Sequence, residues 1–174
     1  MSKKWILMTA LALFAILGGI IFSFSRYPMI NDYSSDLQTP PQFQLVAQLP
    51  ENKDRDLSFP QENISIITKS EPDVLFVETN SSPEVIFEKA TELMKKEGWQ
   101  IISTDPSKGT IEAVITTTFF RFKDDFILRL TDQTSQRRID FRSKSRVGKG
   151  DLGANLLRIK QFKKSLEKAL PLKN

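Results

Sequence analysis

The chain contains no cysteine and no histidine among its 174 residues. Without cysteine there is no disulfide scaffold, no thiol nucleophile and no lipid-modified cysteine anchor. Without either residue, zinc sites of the Cys or Cys/His type, haem iron held by His or Cys, and the Ser-His-Asp triad are also excluded. An enzyme would have to use Ser, Asp, Lys or Arg, and no motif arranges them. We therefore expect a protein that is not an enzyme and holds no cofactor or metal.

A long apolar run marks the beginning of the chain, since Trp5–Phe24 holds 20 residues without a charge. A helix of that length rises ~30 Å, the thickness of the hydrocarbon core of a bilayer. Lys3 and Lys4 precede the run, so the positive-inside rule places the N-terminus in the cytoplasm. We predict that residues 1–25 form a single-pass anchor in the inner (cytoplasmic) membrane, with the C-terminal domain on the periplasmic, extracytoplasmic or lumenal side. A cleaved signal sequence is the alternative.

Residues 26–71 form a proline-rich segment that contains five of the nine prolines. Proline at this density disfavours long helices and favours extended backbone. We predict a mostly irregular, extended stem with one short strand at Ile64–Thr68. A free segment of this length is unusual, so the stem could lie along the folded domain.

Residues 72–174 show the patterns of an α+β domain. Strand patterns are followed by helix patterns in the order β-α-β-β-β-β-α, with the helices over about 82–97 and Leu152–Leu170. The predicted strands are Val74–Glu78, Trp99–Thr104, Thr110–Phe120, Phe126–Thr131 and Arg138–Val147. Four meandering strands predict a mainly antiparallel sheet with both helices on one face.

This order is similar to the TATA-binding-protein-like and helix-grip folds. The analogy carries no function, but a helix-grip fold would allow an apolar cavity between the sheet and the long helix. We expect five aromatic residues of the domain to lie in its core rather than in a ligand cage. These five are Trp99, Phe119, Phe120, Phe122 and Phe126.

The richest cluster of polar residues lies between Arg137 and Arg158. Strand alternation places apolar or small residues on one face of the fifth strand and mostly cations on the other. Glycines and a lysine then lead into the last helix, whose free N–H groups favour an anion. The predicted anion site consists of Arg142, Lys144, Arg146, Lys149, Asp151, Asn155 and Arg158. The alternative is a structural one, in which the cations pair across strands with Glu112 and Asp125 and Asp151 caps the helix.

Several sequence blocks resemble domain-of-unknown-function family 1499. They are Ile30-Asn31-Asp32, Asp36-Leu37, Pro40-Pro41, Gly98-Trp99, Ile111-Glu112-Ala113, Phe122-Lys123-Asp124-Asp125, Arg142 to Gly148, Asp151 to Asn155, and Arg158-Ile159. The resemblance covers roughly residues 30–170 and implies that the stem belongs to the domain. It also implies a family signature, which is either an anion site or a structural joint between strand and helix. The signature residues are Arg142, Ser143, Ser145, Arg146, Gly148, Asp151, Gly153, Asn155 and Arg158. The resemblance implies no reaction.

The sequence thus predicts an exported, membrane-anchored domain that binds an anionic ligand without catalysis, either a lipid headgroup or a phosphorylated small molecule. The alternative is a scaffold or assembly factor that binds a membrane-protein partner through the stem and the sheet edge. Nucleic acid is not an expected partner, because the basic face is exported and its charge is modest beside that of dedicated nucleic-acid binders.

Overall fold

The structure, a computed structural model, describes Trp5, Met8, residues 27–133 and residues 136–171. Apart from Trp5 and Met8, the predicted anchor at residues 1–25 lies outside the described residues. Across the described part of the chain, no helix combines the length and the apolar character needed to cross a membrane.

Six strands form one antiparallel sheet with the order β1-β6-β5-β4-β3, and β2 pairs with β6 on the same side as β1. The strands are β1 (Asp32–Ser34), β2 (Val77–Thr79), β3 (Gln100–Asp105), β4 (Thr110–Thr116), β5 (Lys123–Asp132) and β6 (Arg137–Ser145). The helices are α1 (Gln61–Ser70), α2 (Pro83–Lys96) and α3 (Ala154–Ala169), with short 3-10 turns at Val46–Gln48 and Pro50–Asn52. The predicted α+β class and antiparallel sheet are confirmed, as is the β-α-β-β-β-β-α order from β2 to α3.

Both faces of the sheet are covered. On one face, α2 and α3 enclose the larger apolar cluster, which includes Ile86, Phe126, Phe141 and Ile159. On the other face, residues 35–59, which we call the covering segment, contribute to a smaller apolar cluster beside the sheet. A sheet buried on both faces has no free surface for an exposed row of charges.

The predicted stem is wrong in its local structure. Instead of a strand at Ile64–Thr68, the chain forms the ten-residue helix α1. Pro60 stands just before the first helical turn, where no N–H is required. Ile67 is buried and Ile64 packs beside it, three residues earlier, which is helical spacing. The β-branched residues here favour a strand locally, but packing against the core selects a helix.

The hairpin between β4 and β5 also differs from the prediction. The strand predicted over Thr110–Phe120 ends at Thr116, because the backbone closes a tight loop. The N–H of Thr117 donates to the carbonyl of Phe122 at 2.8 Å, and the N–H of Phe122 donates to the Thr117 hydroxyl at 2.9 Å. Arg121 has a positive φ of 56° within this loop.

The expectation that the aromatic residues of this region belong to the core is therefore wrong for three of them. Phe119 is 90% exposed, Phe120 is 78% exposed and Phe122 is 49% exposed. Trp99 and Phe126 do pack with the main core, as predicted.

Candidate functional site

A buried ion pair joins β1 to β6. The guanidinium of Arg142 donates to both carboxylate oxygens of Asp32, at 3.0 and 2.8 Å. It also donates to the backbone carbonyls of Pro41 and Leu57, at 3.0 and 2.8 Å. Neither charged side chain is exposed to solvent. Arg142 therefore fixes two points of the covering segment to the sheet.

Aromatic rings and a second cation complete this cluster. The Arg142 guanidinium carbon lies 4.8 Å from the ring centroid of Phe43 and 5.3 Å from that of Phe59. These cation–π contacts add to the hydrogen bonds at a desolvated position. Lys144 donates to the same Asp32 carboxylate at 2.9 Å. Two cations thus share one buried carboxylate, and the cluster keeps a net positive charge.

A second buried carboxylate, Asp125 of β5, binds the next cations along the same face. It accepts from Arg146 Nε at 2.9 Å and from Arg55 Nη1 at 2.9 Å. The side-chain amide of Asn52 donates to it at 3.1 Å. Two partners, Arg55 and Asn52, belong to the covering segment, so this pair too joins that segment to the sheet.

Glu112 of β4 binds backbone rather than a cation. Its buried carboxylate accepts the N–H groups of Gln44, Leu45 and Val46, at 3.0, 3.0 and 2.9 Å. Three consecutive N–H donors around one carboxylate form an anion-binding turn that the protein fills itself. The structural alternative expected the cations of β6 to pair with Glu112 and Asp125. Asp125 does pair with Arg146, whereas Glu112 binds backbone N–H groups.

Beyond these clusters, Arg129 of β5 bridges Asp36 and Asp140, at 2.8 and 3.1 Å. Burial raises the pKa of Asp36, but hydrogen bonds from Thr39 and Arg129 outweigh burial, so the pKa lies below its usual value. This carboxylate stays ionised at neutral pH and keeps the covering segment attached.

The start of α3 is likewise filled from within the protein. The Asp151 carboxylate accepts the N–H groups of Gly153 and Asn155, at 2.8 and 2.7 Å. It occupies the place at the helix N-terminus where an external anion was predicted. Burial raises the pKa of Asp151, although these hydrogen bonds oppose the shift. Gly153 has a φ of 84° and adjoins Tyr27, whose ring a Cβ there would strike.

Asn155 and Arg158 join α3 to the sheet. The Asn155 side-chain oxygen accepts from Ser143 Oγ and from Arg158 Nη1, both at 2.6 Å. Its amide nitrogen donates to Ser145 Oγ at 2.9 Å. Arg158 also donates to Asp124 at 2.6 Å. These contacts are those of a structural joint.

The seven predicted site residues do not converge. Arg142, Lys144 and Arg146 lie on the face under the covering segment, whereas Asp151, Asn155 and Arg158 lie on the helix face. Lys149 is exposed in the loop between β6 and α3. The expected exposed cationic face is therefore wrong, because residues far away in the sequence cover it and supply its counter-charges. The binding of an anion by these residues stays a prediction.

A cleft of about 420 Å³ opens between α2, α3 and the end of β4. Its volume is within the usual range for small-molecule sites. Trp99, Ile115 and Phe162 supply apolar surface, and the Trp99 ring stacks on Phe162 with centroids 5.0 Å apart. Polar groups stand beside them, among them Arg158 and Gln161. Arg158 is thus a predicted site residue that borders a cavity.

Sequence reasoning treated Trp99 as a core residue and did not identify this cleft. One signal was present: the helix-grip analogy allowed a cavity between the sheet and the long helix. No spacing in the sequence links Trp99 to Phe162 or Arg158. Within the described residues, no group of three or more Asp or Glu side chains is placed to hold a metal ion.

Comparison with known proteins adds a family. No curated protein matches the chain. The family model described as "Protein of unknown function (DUF1499)" matches residues 32–166. The matched region runs from β1 into α3 and includes the covering segment and α1. The resemblance found in the sequence is confirmed, and the chain belongs to the DUF1499 family.

Proposed function

We propose that this protein is a non-catalytic lipid-binding domain held at a membrane surface by residues 5–24. The observation that carries the proposal is the cleft beside α3. Its apolar wall of Trp99, Ile115 and Phe162 suits the hydrocarbon part of a lipid. Arg158 and Gln161 stand where a polar head would lie. A lipid with an anionic headgroup fits this arrangement better than a phosphorylated small molecule, because the hydrocarbon part of the lipid covers the rings.

Arg158 is suited to orient a head group because its own position is fixed. It donates to Asp124, Ser143 and Asn155, so its guanidinium does not have to be ordered when a ligand arrives. Its pairing with Asp124 also reduces its attraction for a free anion. Selectivity for a lipid would therefore depend on the apolar wall as much as on charge.

The proposed location depends on the sequence of the N-terminal segment. The uncharged run of residues 5–24 is long enough to cross a bilayer, and Lys3 and Lys4 precede it. We place the N-terminus in the cytoplasm and the domain on the periplasmic, extracytoplasmic or lumenal side. The absence of cysteine and histidine supports a binding role rather than a catalytic one.

Native mass spectrometry of the full chain in mild detergent tests the proposal. The wild type should carry a lipid mass that is lost on denaturation. Gln161→Trp should weaken lipid binding at least about tenfold, the equivalent of ~1.4 kcal/mol, and so lower the lipid-bound fraction, because the indole occupies the cleft. Gln161 is exposed, so the change should not disturb folding.

Lys164→Trp is the matched control. It adds the same side chain at an exposed position of α3 that does not line this cleft, and it should keep the wild-type adduct. A wild type without any adduct, or two variants with equal adduct, would count against lipid binding in the cleft.

The scaffold alternative depends on one observation, the position of β3 at the end of the sheet. Strand edges can pair with a partner chain. However, the register of β3 shifts between Ile101 and Ser103, and such irregularities discourage strand addition. A stoichiometric protein partner recovered in mild detergent, without a lipid adduct, would favour this alternative.

A further inference from the structure

The hairpin between β4 and β5 carries two phenylalanines at its tip, Phe119 and Phe120, which are largely exposed. Phe120 stacks on Phe122 with ring centroids 5.5 Å apart, so the rings form one apolar projection. Exposed aromatic groups of this size are costly in water and usually mark an interaction surface.

Other exposed apolar side chains lie at the same end of the sheet, which we call the hairpin end. The strand register places the start of β5 beside the end of β6 at this end of the sheet, with Asp124 opposite Ser145. The start of β1 and the start of α3 are there too, since Asn155 binds both Ser145 and Asn31. Exposed apolar residues of these neighbouring connections and of the first turn of α3 are Met29, Val147, Leu152 and Leu157.

Basic side chains accompany this apolar surface. Arg121 lies within the hairpin tip, and Lys149 lies in the loop after β6; both are exposed. Lys123 at the base of the hairpin is partly engaged by Glu51 at 3.2 Å. Aromatic residues beside cations are typical of segments that enter the interface of an anionic bilayer.

The path of the chain indicates what covers this surface. The described domain begins at Tyr27, three residues after the uncharged run of residues 5–24. Tyr27 packs on Gly153 at the start of α3, within the hairpin end. A chain that leaves a bilayer at this point would hold the hairpin end closest to the lipid.

We propose that the hairpin end is a membrane-docking surface, with Phe119 and Phe120 inserted into the interface of the bilayer from which the N-terminal segment emerges. The inference rests on the proposed function and extends it. Thr116, Thr117 and Thr118 line the cleft and lead directly into the hairpin tip. Docking therefore places the mouth of the cleft at the membrane surface, where a lipid can enter it without crossing water.

Site-directed spin labelling of the full chain tests this geometry. The chain has no cysteine, so Phe120→Cys provides one labelling site. The measured quantity is the ratio of a label's accessibility to oxygen to its accessibility to a water-soluble nickel chelate. In phosphatidylcholine–phosphatidylglycerol vesicles, this ratio should be several-fold higher for a label at 120 than for a control label. Phe119→Cys should give the same result. Both positions are exposed, so neither change removes a core contact.

Ser107→Cys is the control, in the turn between β3 and β4. The seven residues of β4 separate the two turns by roughly 20 Å at ~3.3 Å per residue. A label at 107 should remain in water.

Vesicle flotation distinguishes two failures. A chain that does not float contradicts the membrane anchor, and with it the docking. A floating chain whose labels at 119 and 120 match the label at 107 overturns the docking alone.

Discussion

Replacing Arg142 with alanine should lower the free energy of unfolding by about 3–5 kcal/mol, because it deletes four hydrogen bonds in a buried site and leaves two backbone carbonyls without their donor. The change leaves the buried carboxylate of Asp32 with Lys144 as its remaining cation. It also removes the donors to the carbonyls of Pro41 and Leu57, so the covering segment loses two attachments. Urea denaturation of the full chain in mild detergent, followed by circular dichroism, measures the effect.

Lys149→Ala is the matched control, because it removes a cation from the exposed loop that follows the same strand. Its effect should stay within about 0.5 kcal/mol. If Arg142→Ala were as stable as Lys149→Ala, the buried pair would not stabilise the domain. If it folded normally but lost an anionic ligand, the anion site predicted from the sequence would be favoured instead.

Replacing Glu112 with alanine should have an effect of similar size, about 3 kcal/mol or more, through a different cause. Its carboxylate accepts three consecutive backbone N–H groups at the start of the first 3-10 turn. A buried donor left without an acceptor costs about 1–3 kcal/mol. Three such donors would be left together unless the covering segment detaches, and hydrogen exchange at residues 44–46 would show that detachment.

Glu112→Gln distinguishes loss of acceptors from loss of volume. The amide has nearly the same shape but a single acceptor oxygen, so its destabilisation should be smaller than that of Glu112→Ala and still measurable. Slow exchange at residues 44–46 in both variants would show that the carboxylate does not hold this turn.

The elements between Val77 and Ala169 could be predicted because each carries a local signal. Ser82 caps α2 with Pro83 in its first turn, and Gly98 follows its end with a positive φ. Alternation in β6 separated Phe141 from Arg142 correctly. These patterns depend on neighbours within a few residues, which a single sequence shows directly.

Burial of the charged face of β6 could not be predicted in the same way. Alternating apolar and charged residues are typical of a strand with one face in water. Arg142 is buried by a segment about a hundred positions earlier in the chain. No sequence pattern around Asp32 identifies it as the partner of Arg142. The stem composition pointed to extended backbone, whereas the segment forms two 3-10 turns and a helix that pack against the rest of the domain.

The cleft and the hairpin tip were missed for related reasons. Trp99 and Arg158 come from distant elements, and the space between them exists only once α3 lies across the sheet. The run from Phe119 to Phe122 has the composition of a buried strand. A backbone hydrogen bond between Thr117 and Phe122 closes a loop there instead, and amino-acid composition does not predict that bond.

Fluorescence of Trp99 gives the most direct test of the central claim, that a membrane lipid occupies the cleft. The chain has two tryptophans, so Trp5→Phe leaves Trp99 as the single emitter. A lysophospholipid brominated on its acyl chain should quench Trp99 saturably, because Trp99 lines the cleft. A water-soluble bromide salt should quench it much less. If the brominated lipid leaves Trp99 unquenched while the chain stays folded and membrane-bound, the cleft does not bind lipid.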